Sequence, residues 1–168
     1  MNNLRLFITN KLFNLIPETR GFGIKRRLLH WCGASIGSNV RICSSVKIVG
    51  CGELYIGDNT WIGHRTLLVV SDKIRIGKNV NIAPDVFIGN GTHSITPATD
   101  SIAGPGESLP IDIGDGSWIC ARASLIAGAV LGPMSIVAAN SLYMAVSDKA
   151  GILWGGSPAK PLKYYELV

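Results

Sequence analysis

The chain has 168 residues, 47% of them apolar and 20 of them glycine, which suits one folded domain and argues against disorder. No apolar run approaches the roughly 18 residues of a membrane-crossing helix. The net charge of +5 is concentrated at the start: residues 1 to 30 carry Arg5, Lys11, Arg20, Lys25, Arg26 and Arg27 against Glu18 alone, and the remainder balances to neutrality. Aromatic residues are not interleaved with these charges as in a nucleic-acid-binding module, so that class is set aside.

Residues 3 to 16 read as a helix, with Leu4, Phe7, Ile8, Leu12, Leu15 and Ile16 near one face and Arg5, Asn10 and Lys11 off it; Pro17 ends it. A second helix, Lys25 to Trp31, stops at Gly33. Two uses fit this cationic segment: capping the open end of the domain that follows, or meeting anionic lipid peripherally through residues 1–30. A signal-peptide pattern is absent, because Thr9, Asn10, Lys11 and Asn14 interrupt the apolar residues.

From Ile36 onward an aliphatic residue recurs every six positions: Ile36, Ile42 and Ile48; Ile56, Ile62 and Leu68; Ile76, Ile82 and Ile88; then Ile113, Ile119, Leu125, Leu131 and Val137. A period of six is neither helical nor plain strand alternation; it is the hexapeptide signature of a parallel β-helix. Each aliphatic side chain points inward from one side of a three-sided coil, and a small residue follows it at the crowded corner. Asp58-Asn59, Lys78-Asn79 and Asp115-Gly116 supply turn chemistry. Residues 1–35 are thus expected to form a helical cap, 36–147 the β-helix and 148–168 a tail.

The repeat breaks after His93. The next Ile-Gly comes 37 residues after Ile76 instead of 20, so residues 94–110 are expected to leave the coil as a loop rich in Pro, Gly, Ser and Thr. Insertions on one edge of a solenoid are commonly its binding face. The closing GGSPAKPLKYYELV reads as a turn and an exit segment.

His93 opens that loop in the phase occupied by the charged Glu53 and Lys73, so it is expected to face outward and to act as a proton acceptor near neutrality. His64 lies on a different side of the prism, and His30 falls in the basic cap. Cys32, Cys43, Cys51 and Cys120 have no ligand spacing; Cys43 and Cys120 occupy the small position after an aliphatic residue, which favours buried free thiols and a reducing, cytoplasmic setting. Three histidines without close spacing, and with Ala98 five residues beyond His93, do not make the zinc set of a gamma-class carbonic anhydrase, so no metal is expected.

GTHSI, PIDIGDGSWI and GGSPAK together resemble the sugar O-acetyltransferase branch of the hexapeptide acyltransferases, the group of maltose, galactoside, nodulation-factor and polysaccharide acetyltransferases, over residues 36 to 163. The resemblance implies an all-β, left-handed parallel β-helix; the hand comes from the resemblance, since periodicity does not set it. It further implies acetyl-CoA as donor, a saccharide acceptor, a homotrimer with sites between subunits, and His93 as general base. It assigns Trp118, Ala121, Ala139, Lys160 and Lys163 to the cofactor, and His64 to substrate where the branch usually has asparagine. WICARA replaces the usual WIGxGA, which puts Cys120 and Arg122 in the cofactor channel. Asp85, Asp100, Glu107 and Asp112 are all open as groups that orient His93. A noncatalytic β-helix scaffold and a non-sugar acceptor such as serine remain the alternative readings.

Overall fold

Stacked aliphatic ladders form the inside of the molecule. In the computed structural model, which describes residues 1–97 and 100–167, the hexad residues pair in register: Ile36, Ile56, Ile76, Ile113 and Leu131 along one face, Ile42, Ile62, Ile82, Ile119 and Val137 along the second, and Ile48, Leu68, Ile88 and Leu125 along the third. All of these side chains are buried. Full burial of each is worth about 1.5–3 kcal/mol, so the column, not any one coil, supplies the stability. Ala98, Thr99 and Val168 lie outside the described residues, and with them parts of the expected loop and tail.

The first face stacks Ser35–Ile36, Glu53–Ile56, Lys73–Ile76, Ile111–Ile113, Val130–Leu131 and Val146–Ser147. The second stacks Arg41–Ile42, Trp61–Ile62, Asn81–Ile82, Trp118–Ile119, Ile136–Val137 and Ile152–Gly156; the third stacks Lys47–Val49, Leu67–Val69, Phe87–Gly89, Ser124–Ile126 and Leu142–Tyr143. Pairing within the coil is parallel throughout. The chain then reverses at Gly156 and adds Ala159–Tyr164 antiparallel to the second face, so the expected exit segment is a strand that covers that face's last rung.

Corners turn through the left-handed region. Asn39, Asn59 and Asn79 have φ of 52°, 59° and 55°, values that asparagine tolerates better than most residues. Asn39 donates its amide to Asn59 at 3.0 Å, and Asp58 accepts from the Ser38 backbone N–H at 2.7 Å, which ties one corner to the next. At Gly57 an added Cβ would lie 2.6 Å from the backbone nitrogen of Lys78, so crowding between coils explains the small residue after the aliphatic one. Buried hydroxyls link rungs too: Thr60 donates to the Gly77 carbonyl at 2.8 Å and accepts from Val80 N–H at 3.1 Å.

Two helices, α1 (Asn3–Phe13) and α2 (Phe22–Trp31), pack on the first coil. The orientation of α1 corrects the expected one: Leu6, Thr9 and Phe13 are buried, whereas Leu4, Phe7, Ile8, Leu12 and Leu15 are exposed. The reason is the edge beneath it. The first coil has no preceding rung, and its free carbonyls need donors. Asn10 on α1 donates to Ile48 O at 2.7 Å, Lys25 on α2 to Ile42 O at 2.9 Å, and Arg26 to Val40 O at 3.2 Å. Two of the cap's basic residues are therefore used to seal the prism.

Candidate active site

His93 does not close a coil. Asn90 stands at the corner where the third face ends, wholly buried, with its side-chain oxygen accepting from Ser71 N–H at 2.8 Å and its amide donating to Lys73 O at 3.2 Å. Beyond this clamp, which sequence reasoning missed, the chain projects as an antiparallel hairpin of Gly91–Ile95 with Ala103–Ser108, in place of the expected loop. His93 sits opposite Gly106, at a bulge before Ile95, and is exposed. A bulge re-aims the side chain it carries.

The imidazole is oriented by a main-chain group. Nδ1 lies 2.9 Å from the Gly104 carbonyl, which can only accept, so Nδ1 carries the proton and Nε2 keeps its lone pair. A Cβ at Gly104 would collide with the Thr96 and Ser94 hydroxyls; glycine lets the two arms approach. None of the four open carboxylates orients His93 through a bond to it: Asp85 is paired with Arg65 at 2.7 Å, Asp112 with Arg75 at 2.8 Å, Glu107 pairs across the hairpin with Thr92, and Asp100 is exposed beside the undescribed residues.

His64 lies at the corner between the second and third faces, whereas the hairpin leaves from the corner between the third and first. His64 Nδ1 is 3.3 Å from Glu18 Oε2, a residue of the segment joining α1 and α2 that sequence reasoning passed over. Burial alone would push the Glu18 carboxyl up, but the Ser45 N–H and hydroxyl and the nearby His64 hold it below its ordinary value. Cys43 lies against the same pair, and donor atoms of Glu18, Cys43 and His64 fall within 4.8 Å of one another, the one such grouping among the described residues. The Lys25 ammonium, which interacts with both Glu18 and Cys43, already places a positive charge there. His30, His64 and His93 do not converge; His30 is exposed on α2. All four cysteines are free; Cys32 and Cys43 are buried, Cys120 is half-buried and Cys51 exposed.

The residues assigned to the cofactor run along or beside the second face. Trp118 points outward, 51% exposed, and its rung is followed by Ile136, Leu153 and then Lys163 on the antiparallel strand. Three strand spacings separate Trp118 from Lys163, about 14 Å. Ala121 and Ala139 occupy adjacent coils at the neighbouring corner, joined by the bond from Asn140 N–H to Ala121 O at 3.1 Å. Lys160 and Lys163 are exposed, the latter over the Tyr165 ring at 4.8 Å. This apolar run ending in ammonium groups fits a ligand with an aliphatic arm and terminal phosphates.

No family model matches the chain. Its relatives nevertheless show what class of protein this is: the chain belongs to the hexapeptide-repeat acetyltransferases, the family of the left-handed parallel β-helix. It is 31% identical over 132 residues, 79% of its own length and 70% of the relative's, to the Escherichia coli protein named "Putative colanic acid biosynthesis acetyltransferase WcaF". It is 29% identical over 111 residues to the galactoside O-acetyltransferase of the same organism, a match that covers 65% of this chain and only about half, 53%, of that enzyme. Among solved structures, the hexapeptide-repeat acetyltransferase VCA0836 of Vibrio cholerae, complexed with acetyl coenzyme A, superposes with a TM-score of 0.74 at 21% identity, over 98% of this chain and 87% of that one.

Proposed function

We propose that the protein transfers an acetyl group from acetyl-CoA to a hydroxyl of a saccharide, with His93 as general base. The observation that carries this reading is the fixed tautomer of His93, whose Nε2 is left free to accept a proton on an exposed hairpin. Acetyl-CoA supplies the activated thioester carbonyl. His93 Nε2 takes the proton of the attacking hydroxyl, and the resulting imidazolium returns it to the departing thiolate, so no serine or cysteine nucleophile is needed. The imidazolium remains bound to the Gly104 carbonyl throughout, which keeps the ring from rotating between the two transfers.

The donor is read onto the second face: Trp118, Ala121 and Ala139 along the pantetheine arm, Lys160 and Lys163 at the phosphates. The acetyl coenzyme A bound by VCA0836 supports this choice of donor. A saccharide acceptor is supported by the names of the galactoside and colanic acid relatives, and His64 with Glu18 offers it a polar contact. Because His93 and His64 stand at different corners, one site would draw them from neighbouring chains, which is the argument for a homotrimer. The exposed apolar residues of α1 together with Arg5, Lys11 and Arg20 support peripheral contact with an anionic membrane from the cytoplasmic side.

His93→Ala should lower acetyl transfer by about two to four orders of magnitude. Acetyl-CoA affinity, measured by calorimetry, and particle mass should stay as in the native protein. Unchanged turnover would refute the role.

A further inference from the structure

We propose that the acceptor saccharide is carried on a long-chain phosphate, and that the groove between α1 and the first strand of the third face, Lys47–Val49, holds the phosphate and the start of the chain. The proposal names a substrate class for the saccharide reading above and rests on that reading. Three contacts fix how the walls run. The Met1 ammonium donates to Cys51 O at 2.8 Å, the Asn10 side chain bonds both the carbonyl and the N–H of Ile48, and Glu18 accepts from Ser45 N–H at 3.1 Å. Helix and strand are therefore antiparallel. The groove between them, about 460 Å³, has a polar end at Ser45 and Asn14 and an apolar end at Leu6, Phe7 and Val49.

The order of chemistry along the groove is that of a saccharide linked through phosphate to a lipid. At the polar end, the Glu18 Oε2 that accepts from Ser45 lies 3.3 Å from His64 Nδ1, so the groove leads into the pair already read as contacts of the acceptor. Two strand residues further, about 6.6 Å and comparable with one hexose, Lys47 faces the groove from the coil and Lys11 from the helix. Both are exposed, and neither ammonium has a carboxylate partner among the described residues, so a phosphate between them would meet two uncompensated charges. Phe7, one helical turn before Lys11, then begins the apolar end, where a hydrocarbon gains from contact. The Lys11 ammonium stands 5.6 Å over the Phe7 ring, at the boundary between the two zones. Phe7 is 60% exposed and continues into the outer apolar surface of α1 with Leu4, so a chain leaving the groove passes to the surface proposed to meet the membrane. A free sugar would use the His64 end alone and leave both lysines and the apolar end without a ligand.

The test titrates farnesyl phosphate, below its aggregation concentration, into the intact protein by calorimetry, with farnesol and inorganic phosphate as the two partial ligands. Saturable binding at about one farnesyl phosphate per chain is expected, about tenfold or more tighter than either part alone. Lys11→Gln and Lys47→Gln should each weaken it about fivefold or more, Lys47→Arg should retain it, and acetyl-CoA affinity should stay within about twofold in all three. A second arm supplies acetyl-CoA and compares farnesyl phosphodiesters of glucose, galactose, mannose and fucose with the matching methyl glycosides. At least one diester should be acetylated with a KM about tenfold or more below that of its methyl glycoside. Acetylation of methyl glycosides with no gain from the diesters overturns the lipid carrier and leaves saccharide transfer standing. Acetylation of neither form, with acetyl-CoA bound, overturns both. Farnesyl phosphate bound no tighter than farnesol, or equally well by the two glutamine variants, overturns the groove. Dissociation of the assembly on adding farnesyl phosphate does so too, since it would make the groove a contact between copies.

Discussion

Lys25 illustrates how a single side chain is committed by its place at the prism's end. Its ammonium is buried, donates to Glu18 O at 2.8 Å and to Ile42 O at 2.9 Å, and is pushed below the ordinary lysine value by burial while Cys43 and Glu18 oppose that shift. Lys25→Met would fill the same space and orphan two carbonyls. The expected loss is about 1.5–3 kcal/mol, read as a lower midpoint in urea; a variant as stable as the native chain would show that water or rearrangement serves those acceptors equally well. At this scale the hexad positions were readable, because an inward aliphatic at every sixth residue is a local pattern. The partner of His93 was not, since a backbone carbonyl leaves no mark in the residue name, and Gly104 gains its role only when the hairpin closes. The Glu18 and His64 pair was hidden for a related reason: it joins the interhelical segment to the second coil.

At the scale of elements, the hairpin and α1 show where patterns mislead. Ala103–Ser108, with two glycines and a proline, has the composition of a loop, and only pairing with Gly91–Ile95 makes it a strand. Helix α1 has apolar residues on more than one side, so the face that periodicity picked is not the buried one; Asn10 turns to the polar coil edge below, and Thr9 meets Cys32 Sγ at the end of α2 at 3.2 Å. The segment between α1 and α2 is held to the coil by Glu18, which accepts from the Ser45 N–H and hydroxyl at 3.1 Å each. Its folded-state pKa is lowered, so this contribution is fully present above the ordinary value of 4.5 and is lost as pH falls through the folded value. Protection of the Ser44 and Ser45 amides, measured relative to their intrinsic exchange rates at each pH, should therefore be lost on acidification before that of the coil ladders. Glu18→Gln should flatten that dependence, and equal acid sensitivity in the variant would place the cause elsewhere.

For the whole molecule, the exposed Leu4, Phe7 and Leu15, at 70%, 60% and 80%, form an apolar outer surface on a cap that also displays Arg5, Lys11 and Arg20. Deleting the cap would expose the coil edge, so the membrane proposal is better tested by Leu4→Ser with Phe7→Ser. Native protein should sediment with vesicles containing phosphatidylserine and remain free of neutral ones at moderate salt. The double variant should stay soluble in both; absence of binding by the native chain would remove the proposal.

The sealed edge has another consequence. A parallel coil carries complementary hydrogen-bonding groups at its two ends, so an uncapped prism could stack head to tail on a copy of itself without limit. Asn10, Lys25 and Arg26 satisfy carbonyls at one end, and Ala159–Tyr164 runs the wrong way across the second face at the other. These features make a potentially endless filament into a unit of defined length, and they do so outside the repeats themselves. Whole coils could thus be gained or lost between the two ends while the molecule remained protected against fibre growth.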